Sequence, residues 1–592
     1  MTSVDERAPD YLDPALTVEE RVADLLERMT LEEKAGLMFH QMVEIGEGGA
    51  LAGASSQYRL PPTLEMIGQN HLTHFNVVGS ADPATMARWH NRLQEAAAAT
   101  RLGIPVTLST DPRHAFTDNP GTSFTAGYFS QWPEPLGLAA IGDERTVREF
   151  ADIARQEYLA VGIRVALHPQ VDLATEPRWA RINGTFGEDV GLTCRMLAAY
   201  IRGFQTDRLG PSSVATMTKH FPGGGPQKDG EDAHFPYGRE QVYPGNNFEH
   251  HLRPFEAAFE AGTSQVMPYY GMPVGTDHEE VGFGFNKGVI TGLLREKCGF
   301  DGIVCADWSL INDSTVWGER HAARAWGLED RTPLERLERA LLAGVDQFGG
   351  EHCTELVVRL VESGRIPMSR IDESAQRLLR EKFVLGLFDD PLVDPSQAES
   401  VVSAREFVEA GYDAQCRSIT VLTNGGDSPV LPVPGRPRLY APGIDGAASE
   451  YADLVDDLAD ADLALLRVKA PFERRSGKFE QFFRAGSLEF SQHERDDILN
   501  VCRQVPTIVD IYLDRPAVIP ELLGEAAAVI ANYGASDRAV LDVLFGHRRP
   551  EGTLPFDLPS SMEAVAESRS DVPFDTDAPT FSFGHGLRIP TA

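Results

Sequence analysis

From residue 17 onward the chain alternates between two spacings of apolar positions. Val18, Val22, Leu25, Leu26 and Met29 recur at helical spacing within residues 17–34, which predicts an amphipathic helix. Short apolar runs of strand length follow at 35–40 (AGLMFH), 71–78 (HLTHFNVV), 104–110 (IPVTLST), 162–168 (GIRVALH), 214–220 (VATMTKH), 265–270 (QVMPYY), 302–307 (GIVCAD) and 344–348 (GVDQF). Helical patterns lie between them, as at 84–99, 144–160, 190–205 and 332–342. Eight strands separated by helices predict an α/β fold whose N-terminal domain, residues 1–385, is a (β/α)8 barrel of the TIM type with long insertions.

The pattern then changes. Residues 386–404 are rich in Asp, Pro and Ser and read as a linker. Beyond it, runs at 418–423, 437–441, 461–468, 506–513 and 526–533 again alternate with helical segments. They predict a second domain, residues 405–592, folded as an α/β sandwich. No internal repeat of fixed period interrupts either half.

Composition narrows the functional classes. Of 592 residues, 42% are hydrophobic and 24% charged, the proportions of an ordinary globular protein. No apolar run reaches membrane-spanning length, so no membrane association is expected. A net charge of −34 disfavours nucleic acid as a partner, because binding a polyanion requires clustered Lys and Arg. Six cysteines lie scattered without CxxC spacing, and the start, MTSVDERAPDYLD, has no apolar signal segment; both readings point to a cytoplasmic protein. No His/Cys cluster has ligand spacing, so neither a metal nor another cofactor is expected. A homodimer is left open.

In a (β/α)8 barrel, chemistry sits where the strands end. Those positions hold Asp111, His168, Lys219 and His220, Tyr269 and Tyr270, and Asp307 followed by Trp308; the loop EPRWARINGTFGED adds Arg178. Taken singly, each has a plainer role. The aspartates could cap helices, Lys219 could pair with an acid, and His220 could be a satisfied core histidine. Arg178 and Arg181 could pair with Glu188 and Asp189. Together these groups make a polar pocket suited to a ligand covered in hydroxyls. GGG at 223–225 lacks the remainder of a phosphate-binding motif.

KHFPGGG at 219–225, EPRWARINGTFGED at 176–189, VMPYYG at 266–271, GIVCADW at 302–308 and the closing segments 532–559 and 581–587 resemble glycoside hydrolase family 3 over nearly the whole chain. The resemblance implies a retaining, exo-acting β-glycosidase that removes a terminal glucosyl residue from a small carbohydrate or glycoside. It implies Asp307 as nucleophile, in a motif whose usual serine is here Ala306. It also implies Asp111, Arg178, Lys219, His220, Met267, Tyr270 and Trp308 as substrate-binding residues. The acid/base is expected from the second domain, where Glu473 is the first choice and Glu480 and Glu489 are rivals. A β-N-acetylglucosaminidase using Asp232 and His234 is the alternative, although that subgroup's second histidine is replaced by Gly224; a β-xylosidase is another. From other classes, a Schiff-base lyase acting through Lys219 and a non-catalytic sugar-binding protein complete the set.

Overall fold

The computed structural model describes residues 9–426, 428–444 and 446–590; most of the segment read for a signal lies outside them. Eight parallel strands close into a barrel: β1 (Phe39–Glu44), β2 (His74–Val78), β3 (Thr107–Thr110), β4 (Ile163–Ala166), β5 (Ala215–Phe221), β6 (Gln265–Pro268), β7 (Ile303–Ala306) and β8 (Gln347–Gly349). Closure is made by β8 pairing with β1, Phe348 opposite Phe39. The strands β2 to β8 are buried along their whole length, as expected when a ring of helices covers the outside and side chains fill the inside.

The first strand lies further along the chain than the hydrophobic pattern predicts. Two capping boxes explain the shift. Thr17 with Glu20 opens a helix at Val18–Arg28, and Thr30 with Glu33 opens a second at Leu31–Leu37. The predicted single helix over 17–34 is therefore two, and the apolar run at 35–40 is shared between the second helix and β1. The other seven strands fall within three residues of the predicted runs.

The barrel's lower end is closed by the helix Met368–Val384. Its Lys382 is fully buried and donates to Thr73 O (3.0 Å), Pro105 O (2.9 Å) and Thr107 Oγ1 (2.7 Å), and burial holds its ammonium well below the usual lysine range. Open space is left at the other end, where the strands point.

Residues 386–404 run along the barrel wall. Asn91 exchanges hydrogen bonds with the Val393 backbone (2.8 and 3.0 Å), the segment Pro395–Val401 is helical, and Ser403 N donates to Glu157 (2.7 Å). The second domain carries a six-stranded sheet of β9 (Thr420–Asn424), β10 (Arg438–Tyr440), β11 (Asp453–Leu454), β12 (Leu463–Lys469), β13 (Thr507–Tyr512) and β14 (Ala528–Asn532), in the order β9-β14-β13-β12-β10-β11. Only β9 is antiparallel to its neighbour.

Buried polar contacts join the domains. Glu134 of the barrel accepts from the Tyr512 hydroxyl (3.0 Å), and Asp571 of the sandwich accepts from the backbone of Gly245 (2.7 Å) and Asn247 (2.8 Å). The loop between β12 and β13, residues 470–490, meets the barrel as well, where Asn119 Nδ2 donates to Phe482 O at 3.2 Å.

Candidate active site

The upper end of the barrel holds a cavity of about 790 Å³. Asp111, Lys219, His220, Met267, Tyr270, Asp307 and Trp308 all line it. Each sits at or just past the end of a strand, where the ladder stops and side chains turn into open space.

Asp307 follows β7 and is 7% exposed. Its Oδ1 accepts from its neighbour's backbone, Trp308 N, at 2.7 Å. Its Oδ2 is buried and has no hydrogen-bond partner among the described residues. Leaving a buried carboxylate oxygen unmatched costs about 1–3 kcal/mol or more, so natural proteins do so rarely and at functional positions. Tyr270 lies against this carboxylate and donates to Trp308 O at 2.8 Å. Arg324 donates to the same carbonyl (3.1 Å) and covers the Tyr270 ring at 5.3 Å. Burial first, then the Asp307 charge, holds the Tyr270 hydroxyl well above the usual tyrosine range.

On the facing wall, Asp111 accepts from Lys219 Nζ (3.1 Å) and Asn76 Nδ2 (3.2 Å). His220 is clamped at both ring nitrogens. Arg181 can only donate, so its Nη1 contact with Nε2 (3.0 Å) makes Nε2 the acceptor and Nδ1 the donor to Asp172 (2.8 Å). Burial, then Arg181, keeps this histidine neutral, well below its usual range. Asp172, raised by burial to about 6, also accepts from the backbone of His220 and Gly224. His168 is a core residue, its Nδ1 bonded to the Tyr200 hydroxyl at 2.7 Å.

Trp308 forms one wall, its ring 5.4 Å from His40. The indole lies directly on the backbone after β8. A Cβ at Gly349 would come within 2.5 Å of it, and one at Gly350, where φ is +66°, within 2.6 Å. Glycine is required at both places for the platform to lie flat.

Two sequence expectations are corrected. Arg178 does not line the cavity. Its guanidinium is held by Glu176 (2.8 and 2.9 Å), and its carbonyl accepts from Arg515 (2.9 Å). The loop turns through a 3₁₀ step after Glu176, pointing Trp179 inward onto Asp232 (3.1 Å) and bringing Arg181, three residues on, into the cavity wall. Arg181 does not pair with Glu188 or Asp189. Glu188 accepts from the backbone of Asp557 (2.6 Å) and Phe574 (2.8 Å), and Asp189 caps the next helix.

The second correction concerns Glu473. It is exposed, bridges to Ala485 within its own loop and accepts from Ser487 N (3.2 Å); it fastens the loop's base. Glu489 is exposed and pairs with Val518 in the same domain. Glu480 differs from both. Its neighbour Phe479 lines the cavity, and its own carboxylate accepts from the hydroxyl of Tyr237, a barrel residue.

His234 also reaches the cavity, its ring 4.8 Å from Tyr270. Its Nδ1 meets Asp232 at 2.6 Å. Burial opposes the Asp232 charge, but His234 and Arg181 outweigh it and hold that carboxyl at about 2. Burial still leaves His234 below the usual histidine range, so near neutral pH its Nε2 can accept a hydrogen bond but carries no proton to give. At Gly224 a Cβ would stand 3.1 Å from Tyr269 and 3.2 Å from Asp172, so a histidine there would require these buried neighbours to shift.

Sequence reading overlooked Asn76 and Glu351. Asn76 interrupts the apolar run of β2, and Glu351 stands just past β8, a strand end that the sequence reading does not cover. Glu351 accepts from the backbone of Ile311 and Asn312 (2.9 Å each), shaping the loop after Asp307, and burial pushes it to about 7. Among the described residues no cluster of His, Cys, Asp and Glu could hold a metal ion. No described helix is long and apolar enough to cross a membrane.

Comparison with known proteins gives this geometry a family. The model of the glycosyl hydrolase family 3 N-terminal domain matches residues 60–381, and that of the family's C-terminal domain matches residues 307–589. The chain belongs to glycoside hydrolase family 3. It is 54% identical to a probable β-glucosidase C of Aspergillus flavus over 587 residues, 98% of this chain and 92% of that protein. It is 42% identical to a periplasmic β-glucosidase/β-xylosidase of Dickeya chrysanthemi, again covering 98% of this chain and 92% of the relative. Among solved structures, the β-glucosidase of Listeria innocua in complex with isofagomine superposes with a TM-score of 0.76 at 20% identity, covering 96% of this chain and 83% of that one. That likeness concerns the fold.

Proposed function

We propose that the protein is an exo-acting β-glucosidase that works with retention of configuration. The observation that carries this reading is Asp307 Oδ2, a buried and unmatched carboxylate oxygen facing a pocket walled by hydroxyl-binding groups. The two relatives named above support glucose as the sugar removed. Asp111, Lys219, His220, Arg181 and His234 supply charged and neutral partners for ring hydroxyls. Trp308 supplies a flat apolar wall for the sugar face.

In the first step Asp307 Oδ2 attacks the anomeric carbon as the bond to the leaving oxygen breaks, and that oxygen takes the proton of an acid. In the second step water gives a proton to the same group, now a base, and its oxygen displaces Asp307 from the sugar. Glu480 is the group we assign to this task, as the only one of the three candidate glutamates whose carboxylate touches the barrel. Lys219 is ion-paired with Asp111, which argues against a Schiff-base role.

A panel of aryl β-glycosides tests the sugar, and preference for the N-acetylglucosaminide over the glucoside would defeat the reading. A 2-deoxy-2-fluoro-β-glucoside with a good leaving group should label the peptide containing Asp307. Asp307→Gly should lose activity by a factor on the order of 10⁴ or more and regain part of it with azide. Full activity in that variant would exclude Asp307 as nucleophile.

A further inference from the structure

Glu480 lies in a sandwich-domain segment held by barrel loops. The hydroxyl of Tyr237 donates to its carboxylate, and Arg475 lies over the Tyr237 ring at 5.4 Å while its guanidinium meets Glu231 at 2.8 Å. Tyr237 and Glu231 belong to the loop after β5, the loop that also delivers His234 to the cavity. Arg475 and Glu480 belong to the segment between β12 and β13. Two ties therefore cross the domain boundary side by side, and one of them ends on the carboxylate itself.

The sequence singles out none of these contacts. Tyr237 is 49% exposed, a high value for a large aromatic residue, and its ring stacks on Phe235 at 5.4 Å. Burial, then its bond to Glu480, keeps its hydroxyl protonated far above neutral pH, so it remains a donor throughout the working range. A phenol on a short 3₁₀ turn, Pro236–Gly238, is a stiff donor with few rotatable bonds. A glutamate has three, so an unsupported one would sample many positions at the mouth of the pocket. Aligning a proton donor is worth about 10²–10⁴ in rate, which makes such support consequential.

We infer that Tyr237 is a positioning residue for the reaction: from the barrel side it orients the acid/base carboxylate of Glu480, and the Arg475–Glu231 ion pair holds the two loops in register. This rests on the assignment of Glu480 above. Tyr237 is not a catalytic residue, since it acts through Glu480.

The test separates the two claims by leaving group. Proton donation matters for a poor leaving group such as an alkyl alcohol or a second sugar, and little for 2,4-dinitrophenolate. Tyr237→Phe should lower kcat/KM for cellobiose about ten- to a hundredfold while leaving that for 2,4-dinitrophenyl β-glucoside within about threefold. Arg475→Met should act in the same direction by a smaller factor. Equal losses on both substrates, or no loss on either, would overturn the inference. Glu480→Ala is measured alongside, with azide. Azide-dependent turnover of the activated glucoside would establish Glu480, and its absence would remove the acid/base assignment itself. Thermal midpoints within about a degree of the parent would confirm that the exposed Tyr237 site has not perturbed folding.

Discussion

Asp307 and Glu480, proposed above as nucleophile and acid/base, come from different domains, and almost everything that holds them differs. Asp307 stands at the end of a buried strand, 7% exposed, on a backbone tied into a closed ladder on both sides. Glu480 stands on a short turn in a loop of some twenty residues, and its neighbours Lys478 and Gln481 are exposed. The barrel positions its groups by topology, since the strand ends gather at the mouth, and only some of the residues there, such as His168, turn back into the core. The sandwich has no such rule. Its loop is held by individual ties: the Arg515 guanidinium bonded to Pro471 O (2.5 Å), Ser487 O (2.8 Å) and the barrel's Arg178 O (2.9 Å), and the rings of Phe479 and Phe482 packed against Trp317 (6.4 and 4.9 Å).

The sharpest way to break this comparison uses the two arginines of one barrel loop. Arg181 lines the cavity and Arg178 braces the loop against the sandwich. Arg181→Met removes a buried charge bonded to His220 and facing Asp307, and should lower kcat/KM by about 10²–10³. Arg178→Met should leave the sugar pocket intact and cost less than about tenfold, seen more in thermal stability than in kcat. If Arg178 proved the more damaging for kcat with an activated substrate, the structural division between them would fail.

A second test addresses the ties of the sandwich loop. Arg515 is 1% exposed, and burial lowers its guanidinium to about 10. Arg515→Met leaves several carbonyls without a donor and frees the base of the loop. Cellobiose hydrolysis should fall by about tenfold or more, while covalent labelling of Asp307 by an activated fluoroglucoside should proceed at near the parent rate. Parallel loss of both would mean that the loop shapes the nucleophile's pocket as well.

The difference between the regions also explains what was legible in the sequence. Strand-end positions in the barrel follow from hydrophobic runs of known length, so Asp111, Lys219, His220, Tyr270 and Asp307 are legible in the sequence. Glu351 obeys the same rule, whereas Asn76 lies within β2 and is marked only as a polar residue in an apolar run. Arg178 was misplaced because it lies in a loop, where a single 3₁₀ step decides which of two nearby arginines turns inward. For the same reason the sequence does not separate Glu473 from Glu480: spacing after a strand says nothing about which face of a long loop meets another domain. That information resides in Tyr237 and Phe479, residues far apart in the chain.

A smaller effect tests the platform. Gly349→Ala would place a methyl within 2.5 Å of the Trp308 indole and force the ring to tilt. KM for aryl glucosides should rise about three- to tenfold with a lesser change in kcat, because ground state and transition state share the sugar's stacking contact. An unchanged KM would show that the indole is not a binding surface.

The smallest effect concerns the seam between the two regions and is read in stability. Glu188, on the barrel side, accepts from the backbone of Asp557 and Phe574 on the sandwich side, and burial with the nearby Asp557 and Asp189 charges raises it to about 8. In the unfolded chain the same group ionises near its ordinary value of about 4.3. Between those two values the folded state binds the extra proton, so stability must fall as pH rises from about 4.3 toward 8. Below that window the group is protonated in both states and contributes no slope. Glu188→Gln keeps an acceptor for one of the two backbone donors, sets its amide nitrogen against the other, and abolishes the titration. Whatever constant offset the carboxamide brings, the variant's thermal midpoint should gain on the parent by a degree or two between pH 5 and pH 8.5. A constant difference across that range would mean that Glu188 does not hold its proton at the seam, and that the domains are joined there by an ionised carboxylate.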